Sequence, residues 1–443
     1  MKTALIVSEY NPFHKGHAHQ INVLRRTESV THIVAVMSGN FVQRGAPALF
    51  DKFQRAHLAV LGGCDLVLEL PTVYAVSSAE FFALGSILSA NAAQIADIIS
   101  FGSEAGQLDS LAIVAQLLLQ RAAFIDPIIR REMKTGKSYP VSRQIAVAAA
   151  LNEYYPNLPL DVDNLFKPNN ILAIEYLKAL HSTNSKLLPH TLKRQGLGYN
   201  DIYSGNQLGH VGDGKGPRLG GGASQVYPLL PSATAIRALL QKNQDVSSLI
   251  PENCASYFSQ LAAGYPTPRK ADLKKIVLYR LKLEPDSLYR LPDARDGLGD
   301  RVINSADKLY KLADLDDFVA SIKTRRYTYS RIMRLLLQFA LGFDRLDYAA
   351  LRTSPPPYLR VLAFNRQGIE ILAKAGTTSG ENSGIPLVHS LKNIKSPFAQ
   401  ADCQASELYA QLTDAYPNTS DFTHRTKPIE TSRSIRKDHG TTT

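Results

Sequence analysis

The run Glu9-Tyr10-Asn11-Pro12-Phe13-His14-Lys15-Gly16-His17 sets two histidines three residues apart around a glycine. It follows the apolar stretch Ala4-Leu5-Ile6-Val7, which reads as a buried strand. It precedes a stretch in which Ile21 and Leu24 recur at helical spacing against a polar face of His19, Gln20, Arg25 and Arg26. A strand, a tight turn and a helix N-terminus make an anion site, because backbone N–H groups and the positive end of the helix dipole face whatever binds there. His14 in the turn and His17 in the first helical turn can face one ligand. Their N–H groups can hold phosphate oxygens and the charge that builds as pyrophosphate leaves. Gly16, with no Cβ, lets the backbone approach that phosphate.

A second constellation is Ser232-Ala233-Thr234-Ala235-Ile236-Arg237. Ser232 is a good N-cap for a helix running to about residue 242, and Thr234 and Arg237 then face the same way one turn apart. Hydroxyls, backbone N–H groups and a guanidinium together grip terminal phosphates. Activating a carboxylate by adenylylation requires in-line attack on the α-phosphate and a pyrophosphate held as it departs. The substrate carboxylate is the nucleophile, so the absence of a Ser-His-Asp or Cys-His pattern is consistent with this chemistry. Cys64, Cys254 and Cys403 lie far apart without Cys-X-X-Cys spacing, which argues against a disulfide framework or a zinc site.

His14-Lys15-Gly16-His17 resembles the His-X-Gly-His signature of the adenylyl-transferring nucleotidyltransferases. The longer string from Glu9 is similar to the tRNA(Met) cytidine acetate ligase family. The resemblance implies ATP as a substrate, acetate as the acid, elongator tRNA(Met) as the acceptor, and a Mg2+ ion as a possible companion of the nucleotide. Acetate would become acetyl-adenylate, and N4 of the wobble cytidine would take the acetyl group, with pyrophosphate and AMP released. The implied catalytic residues are His14, His17 and Arg237. The implied ATP contacts are Val7, Ser8, Glu9, Tyr10, Asn11, Pro12, Phe13, His14, Lys15, Gly16, His17, His19 and Gln20, then Gly102, Asn169, Arg194, Gln195, Ser232, Thr234 and Arg237. Asn40 and Gln43, following the second strand, are expected on the acceptor side. Phe364-Asn365-Arg366-Gln367-Gly368 extends the resemblance more loosely. A small-molecule adenylyltransferase is the alternative enzyme, and an RNA-binding protein with a retained nucleotide site is the alternative outside catalysis.

The elements that must position these residues read as α/β. Strands are expected at 3–9, 31–38, 65–70, 96–101 and 187–193, and helices at 16–28, 51–62 and 77–93. Continuous apolar strands between amphipathic helices argue for a parallel, Rossmann-like sheet whose ligand lies beyond the strand C-termini. A nucleotidyltransferase domain is expected over 1–242, with a helical insertion at about 107–182. A mostly α-helical, basic domain follows over 243–424, then a polar tail over 425–443. Eight glycines fall within residues 204–224, which reads as a flexible surface loop without Walker spacing.

At 443 residues the chain is too long for one ordinary core, and its 44% hydrophobic and 20% charged content is that of a globular protein. No apolar run approaches the ~20 residues that span a bilayer, and no targeting segment is visible, so a cytoplasmic location is expected. Oligomeric state is not legible. The net charge of +11 divides as −2 over 1–120, +6 over 121–320 and +7 over 321–443. A basic surface outside the nucleotide domain suits a polyanion distinct from ATP, above all RNA. Lys323, Arg325, Arg326, Arg331 and Arg334, with Tyr327 among them, are the expected tRNA contacts.

Overall fold

In a computed structural model of the chain, residues 1–158, 160–194, 232–377, 384–414 and 420–431 are described. Nine strands are present among them: β1 Thr3–Ser8, β2 His32–Ser38, β3 Phe41–Val42, β4 Ala46–Pro47, β5 Leu66–Leu70, β6 Ile98–Ser103, β7 Leu188–Lys193, β8 Leu359–Phe364 and β9 Leu387–Val388. Seven form one sheet in the order β7-β6-β1-β2-β5-β8-β9, and β3 and β4 form a separate antiparallel hairpin. All neighbours in the large sheet run parallel except β5 and β8.

The central strands are apolar on both faces because both faces are covered. Alternation along β1 and β2 sorts their side chains into two cores. Ala4, Ile6, Ile33, Ala35 and Met37 pack with Ile21, Leu24, Ala56 and Leu58 on one side, while Leu5, Val34 and Val36 pack with Phe82, Ile87, Val114 and Ile174 on the other. The first core also takes in Ile236, Leu239, Cys254 and Phe258 from helices Ala233–Gln241 and Glu252–Gly264. Residues on both sides of position 242 therefore share one core.

The expected strands and the first three helices occur within a few residues of where the pattern put them. The part expected to be mostly α-helical, 243–424, is so among its described residues, and it also contributes β8 and β9, which extend the large sheet. β8 is wholly buried even though Arg360 interrupts its apolar run. Arg360 is accommodated by an ion pair to Asp421, which also binds Lys52 at 2.8 Å; Lys52 in turn meets Glu69 at 2.9 Å. Tyr358 and the backbone N–H of Thr72 both donate to Asp402 at 2.7 Å. Two cations and three carboxylates are thus buried together at this edge of the sheet. Burial pushes the Glu69 carboxyl up to about 7 although Lys52 opposes the shift. Among the described residues no single helix is long and apolar enough to cross a membrane.

Candidate active site

The turn after β1 is built to present the histidines. Tyr10 adopts a φ of +44°, and its ring lies edge-on to Phe13 and His17 at centroid distances of 4.9 and 4.8 Å. Phe13 fills the space beside Gly62, where any Cβ would collide with its ring. Arg55, fully buried, holds the loops beyond β1 and β2 together. It donates to Phe50 O at 2.9 Å, to Ser38 O at 3.0 Å, and to the carbonyls of Glu9 and Gly39.

His14 is the N-cap of helix Lys15–Thr27. Its Nδ1 accepts from Gly16 N at 3.0 Å, and its own backbone N–H donates to His17 Nδ1 at 3.3 Å. The two rings lie 3.8 Å apart and tilted by 30°. Because each Nδ1 is an acceptor, each neutral ring carries its proton on Nε2. Burial, with Arg194 adding to it, lowers the His14 pKa to about 3. Burial, then His14 and Arg194, holds His17 well below its usual value. The pair is therefore neutral at physiological pH and offers two Nε2–H donors.

Three positions from separate parts of the chain meet at the end of β6. Arg194 donates to Asn169 Oδ1 at 2.9 Å, and a Cβ on Gly102 would stand 3.2 Å from Arg194 Cγ. Asn169 donates through Nδ2 to Glu104 Oε1 at 2.6 Å, while Glu104 Oε2 accepts from Asn170 N at 2.8 Å. Glu104 thereby caps helix Pro168–Ser182 and orients the side chain that steadies Arg194. On the other flank Ser232 Oγ accepts from Ala235 N at 3.2 Å. Arg237 donates to Thr234 Oγ1 at 3.2 Å and to the carbonyl of Asn11, which ties the second constellation to the first turn.

These groups line one cleft of about 370 Å³. Of the residues expected at the site, Val7, Ser8, Glu9, Tyr10, Asn11, His14, Gly16, His17, His19, Gln20, Gln43, Gly102, Asn169, Arg194, Ser232, Thr234 and Arg237 line it. Pro12 and Phe13 are buried beneath the turn, and Lys15 points to solvent. Asn40 does not reach the cleft. It is buried, accepts from Lys52 N at 2.9 Å and donates to Ser406 Oγ at 3.3 Å, so its work is to hold the hairpin. Gln195 and the glycine-rich stretch 204–224 fall outside the described residues.

Sequence reasoning did not select Arg44, Phe82, Phe101 or Tyr176, which also line the cleft. Arg44 stands next to Gln43, and its charge after a strand end was the available signal. The aromatics come from helix interiors and a strand, where nothing separates a wall of a cleft from ordinary core.

The basic segment differs from its expected form. Lys323, Arg325 and Arg326 are exposed, but Tyr327 is buried and donates its hydroxyl to Asp296 O. Arg331 donates to Asp296 Oδ2 and Arg295 O, both at 3.1 Å. Arg334 is buried 3.9 Å from Asp293. Neither Tyr327 nor Arg334 presents its side chain to a partner in this conformation, because the fold needs both for internal contacts.

The turn, the histidine pair and the sheet define a nucleotidyltransferase of the His-X-Gly-His class. A family model described as HIGH Nucleotidyl Transferase matches residues 1–208 and 223–424. The chain is 34% identical over 431 residues to a tRNA(Met) cytidine acetate ligase of Clostridium novyi, covering 96% of this chain and 98% of that one. It is 33% identical over 420 residues to the enzyme of that name from Clostridium acetobutylicum, covering 94% and 97%. The crystal structure of Thermotoga maritima TmcAL in its apo form superposes with a TM-score of 0.83 at 27% identity, over 97% of this chain and all of that one. The same protein bound with alpha-thio ATP gives a TM-score of 0.77 at 27% identity, over 95% and 96%. The chain belongs to the tRNA(Met) cytidine acetate ligase family.

Proposed function

We propose that this chain activates acetate with ATP and transfers the acetyl group to N4 of the wobble cytidine of elongator tRNA(Met), in the cytoplasm. The observation that carries the reading is the convergence of two neutral imidazoles, Arg194 and Arg237 on one cleft. Acetate attacks the α-phosphorus, the bond to the bridging oxygen breaks, and pyrophosphate leaves with the electron pair. The Nε2–H groups of His14 and His17 donate to the oxygens on which charge accumulates. As neutral donors they need no proton transfer to act, and burial strengthens their effect. Arg237 and the start of helix Ala233–Gln241 hold the β- and γ-phosphates, and Arg194, steadied by Asn169, flanks the nucleotide. The alpha-thio ATP bound by the Thermotoga protein supports nucleotide binding in this fold.

Among the described residues no three His, Cys, Asp or Glu side chains are grouped to hold a metal ion. A magnesium ion brought by ATP would sit on phosphate oxygens. Residues 243–424 supply the RNA-facing half, and Lys323, Arg325 and Arg326 are among its exposed cations. The hairpin that carries Gln43 and Arg44 abuts helix Tyr329–Ala340, since a Cβ on Gly45 would lie 2.6 Å from Arg334 N. This contact supports a short route from the nucleotide cleft to the basic surface. The reading is tested by ATP–pyrophosphate exchange with a panel of acids. Acetate-dependent exchange is expected. Exchange with a phosphorylated pantetheine or a mononucleotide, and none with acetate, would overturn it.

A further inference from the structure

The second half of the proposed reaction makes a chemical demand that the phosphate-binding groups do not meet. The exocyclic amine of a cytidine is conjugated with its ring and weakly nucleophilic, and it must lose a proton as its bond to the acetyl carbon forms. The leaving group, AMP, departs as a phosphate anion and needs no proton. The step therefore calls for a base and not for an acid.

His14 and His17 do not supply that base. Their Nδ1 atoms are taken up by Gly16 N and His14 N, and their Nε2 atoms carry protons. Among the described residues lining the cleft, the only carboxylate is Glu9. Its backbone is fixed by Arg55 through the Glu9 carbonyl, and its Oε1 accepts from Gln43 N at 3.0 Å. Oε2 has no hydrogen-bond partner among the described residues. The side chain thus stands where the cleft meets the hairpin that abuts helix Tyr329–Ala340. Tyr176, across the cleft, senses it: burial first, and then the Glu9 charge, raises the tyrosine pKa.

We propose that Glu9 is the general base of acyl transfer, its Oε2 accepting the proton of the attacking amine. The carbon–nitrogen bond forms, the tetrahedral centre collapses, the carbon–oxygen bond to phosphate breaks with its electron pair leaving on AMP, and the proton passes from Glu9 to water. The assignment rests on the proposed function and adds to it a residue for the second step. The Gln43 N–H, by holding Oε1, aims the other oxygen into the cleft.

The test separates the two halves. Glu9→Gln keeps the shape and an acceptor for Gln43 N but removes the basicity. Acetate-dependent pyrophosphate exchange reports the first half. Single-turnover transfer from preformed acetyl-adenylate to an elongator tRNA(Met) transcript reports the second. Transfer is expected to fall about a hundredfold further than exchange in Glu9→Gln, and any rise of wild-type transfer with pH is expected to be lost in that variant. Glu9→Asp, which keeps the carboxylate one methylene back, should transfer faster than Glu9→Gln. Equal losses in exchange and transfer would make Glu9 a nucleotide contact, and undiminished transfer would leave the proton to the AMP phosphate. A pH dependence that persists in Glu9→Gln would move the base to another group, such as His19. Each of these three results overturns the assignment. A wild-type chain with no acetate-dependent exchange would instead remove the proposed function, and this step with it.

Discussion

The nucleotide cleft and the basic segment at 323–334 were both recognised by residue type, and the fold treats them in opposite ways. In the cleft, groups from positions 9–20, 102, 169, 194 and 232–237 converge, and their internal hydrogen bonds leave the functional atoms facing inward. In the basic segment, half of the selected side chains are drawn into the protein by Asp293 and Asp296. A phosphate site made from a strand end and a helix start is a backbone arrangement, so its local sequence implies its geometry. A run of cations implies only charge. What that charge faces depends on residues far away in the chain.

The largest test of the contrast lies in the cleft. His17→Ala should cut turnover by about a hundredfold or more while weakening ATP binding far less, because the lost donor acts on charge that develops in the transition state. Pyrophosphate exchange and nucleotide titration read the two effects, and near-normal turnover would make the histidine pair structural.

A second test uses pH. The unfolded chain protonates a histidine near its usual 6.5, whereas folded His14 stays neutral down to about 3. The unfolded state therefore binds more protons below 6.5, and stability falls as the pH drops through this window, levelling below 3. Between pH 8 and pH 5 the loss is about 2 kcal/mol for this one group. Denaturant melts of the wild-type chain and His14→Gln should diverge by that amount, and parallel curves would mean that His14 is not held neutral.

On the RNA side, replacing Lys323, Arg325 and Arg326 by Ala should weaken tRNA binding several-fold and flatten its salt dependence by about 2 to 3 units of log–log slope. The loss in tRNA binding should exceed any loss in acetate-dependent exchange. An unchanged slope would move the RNA surface elsewhere. The smallest effect belongs to Tyr327→Phe, which removes one buried hydrogen bond and should cost about 1 kcal/mol of stability. The salt slope of tRNA binding should stay as it was, and a changed slope would return Tyr327 to the interface.

Much of the parallel sheet could be read from the chain because strands covered on both faces leave continuous apolar runs, as in Ile33–Met37 and Leu66–Leu68. The two motifs proposed to bind phosphate could be located for the same reason as the strands: turn, cap and periodicity agree locally. β8 escaped because Arg360 sits near its start, and Asp421, sixty-one positions on, is needed to explain how that charge is buried. The burial of Asn40 was not legible because its partners Lys52 and Ser406 are supplied by tertiary packing. The burial of Tyr327 and Arg334 is likewise bound up with Asp296 and Asp293, some thirty to forty positions earlier.

The buried charges beside β8 also constrain how the molecule can be made. Lys52 and Glu69 emerge from the ribosome early, but Arg360 and Asp421, which add the second buried ion pair, come some three hundred residues later. Until then β5 remains a bare edge beside an unfinished charge cluster, on the sheet that carries the cleft. A nascent chain halted near residue 242 would hold both phosphate motifs and still lack a finished sheet. The large sheet is therefore complete only once nearly the whole polypeptide has been translated, because its last two strands are β8 and β9.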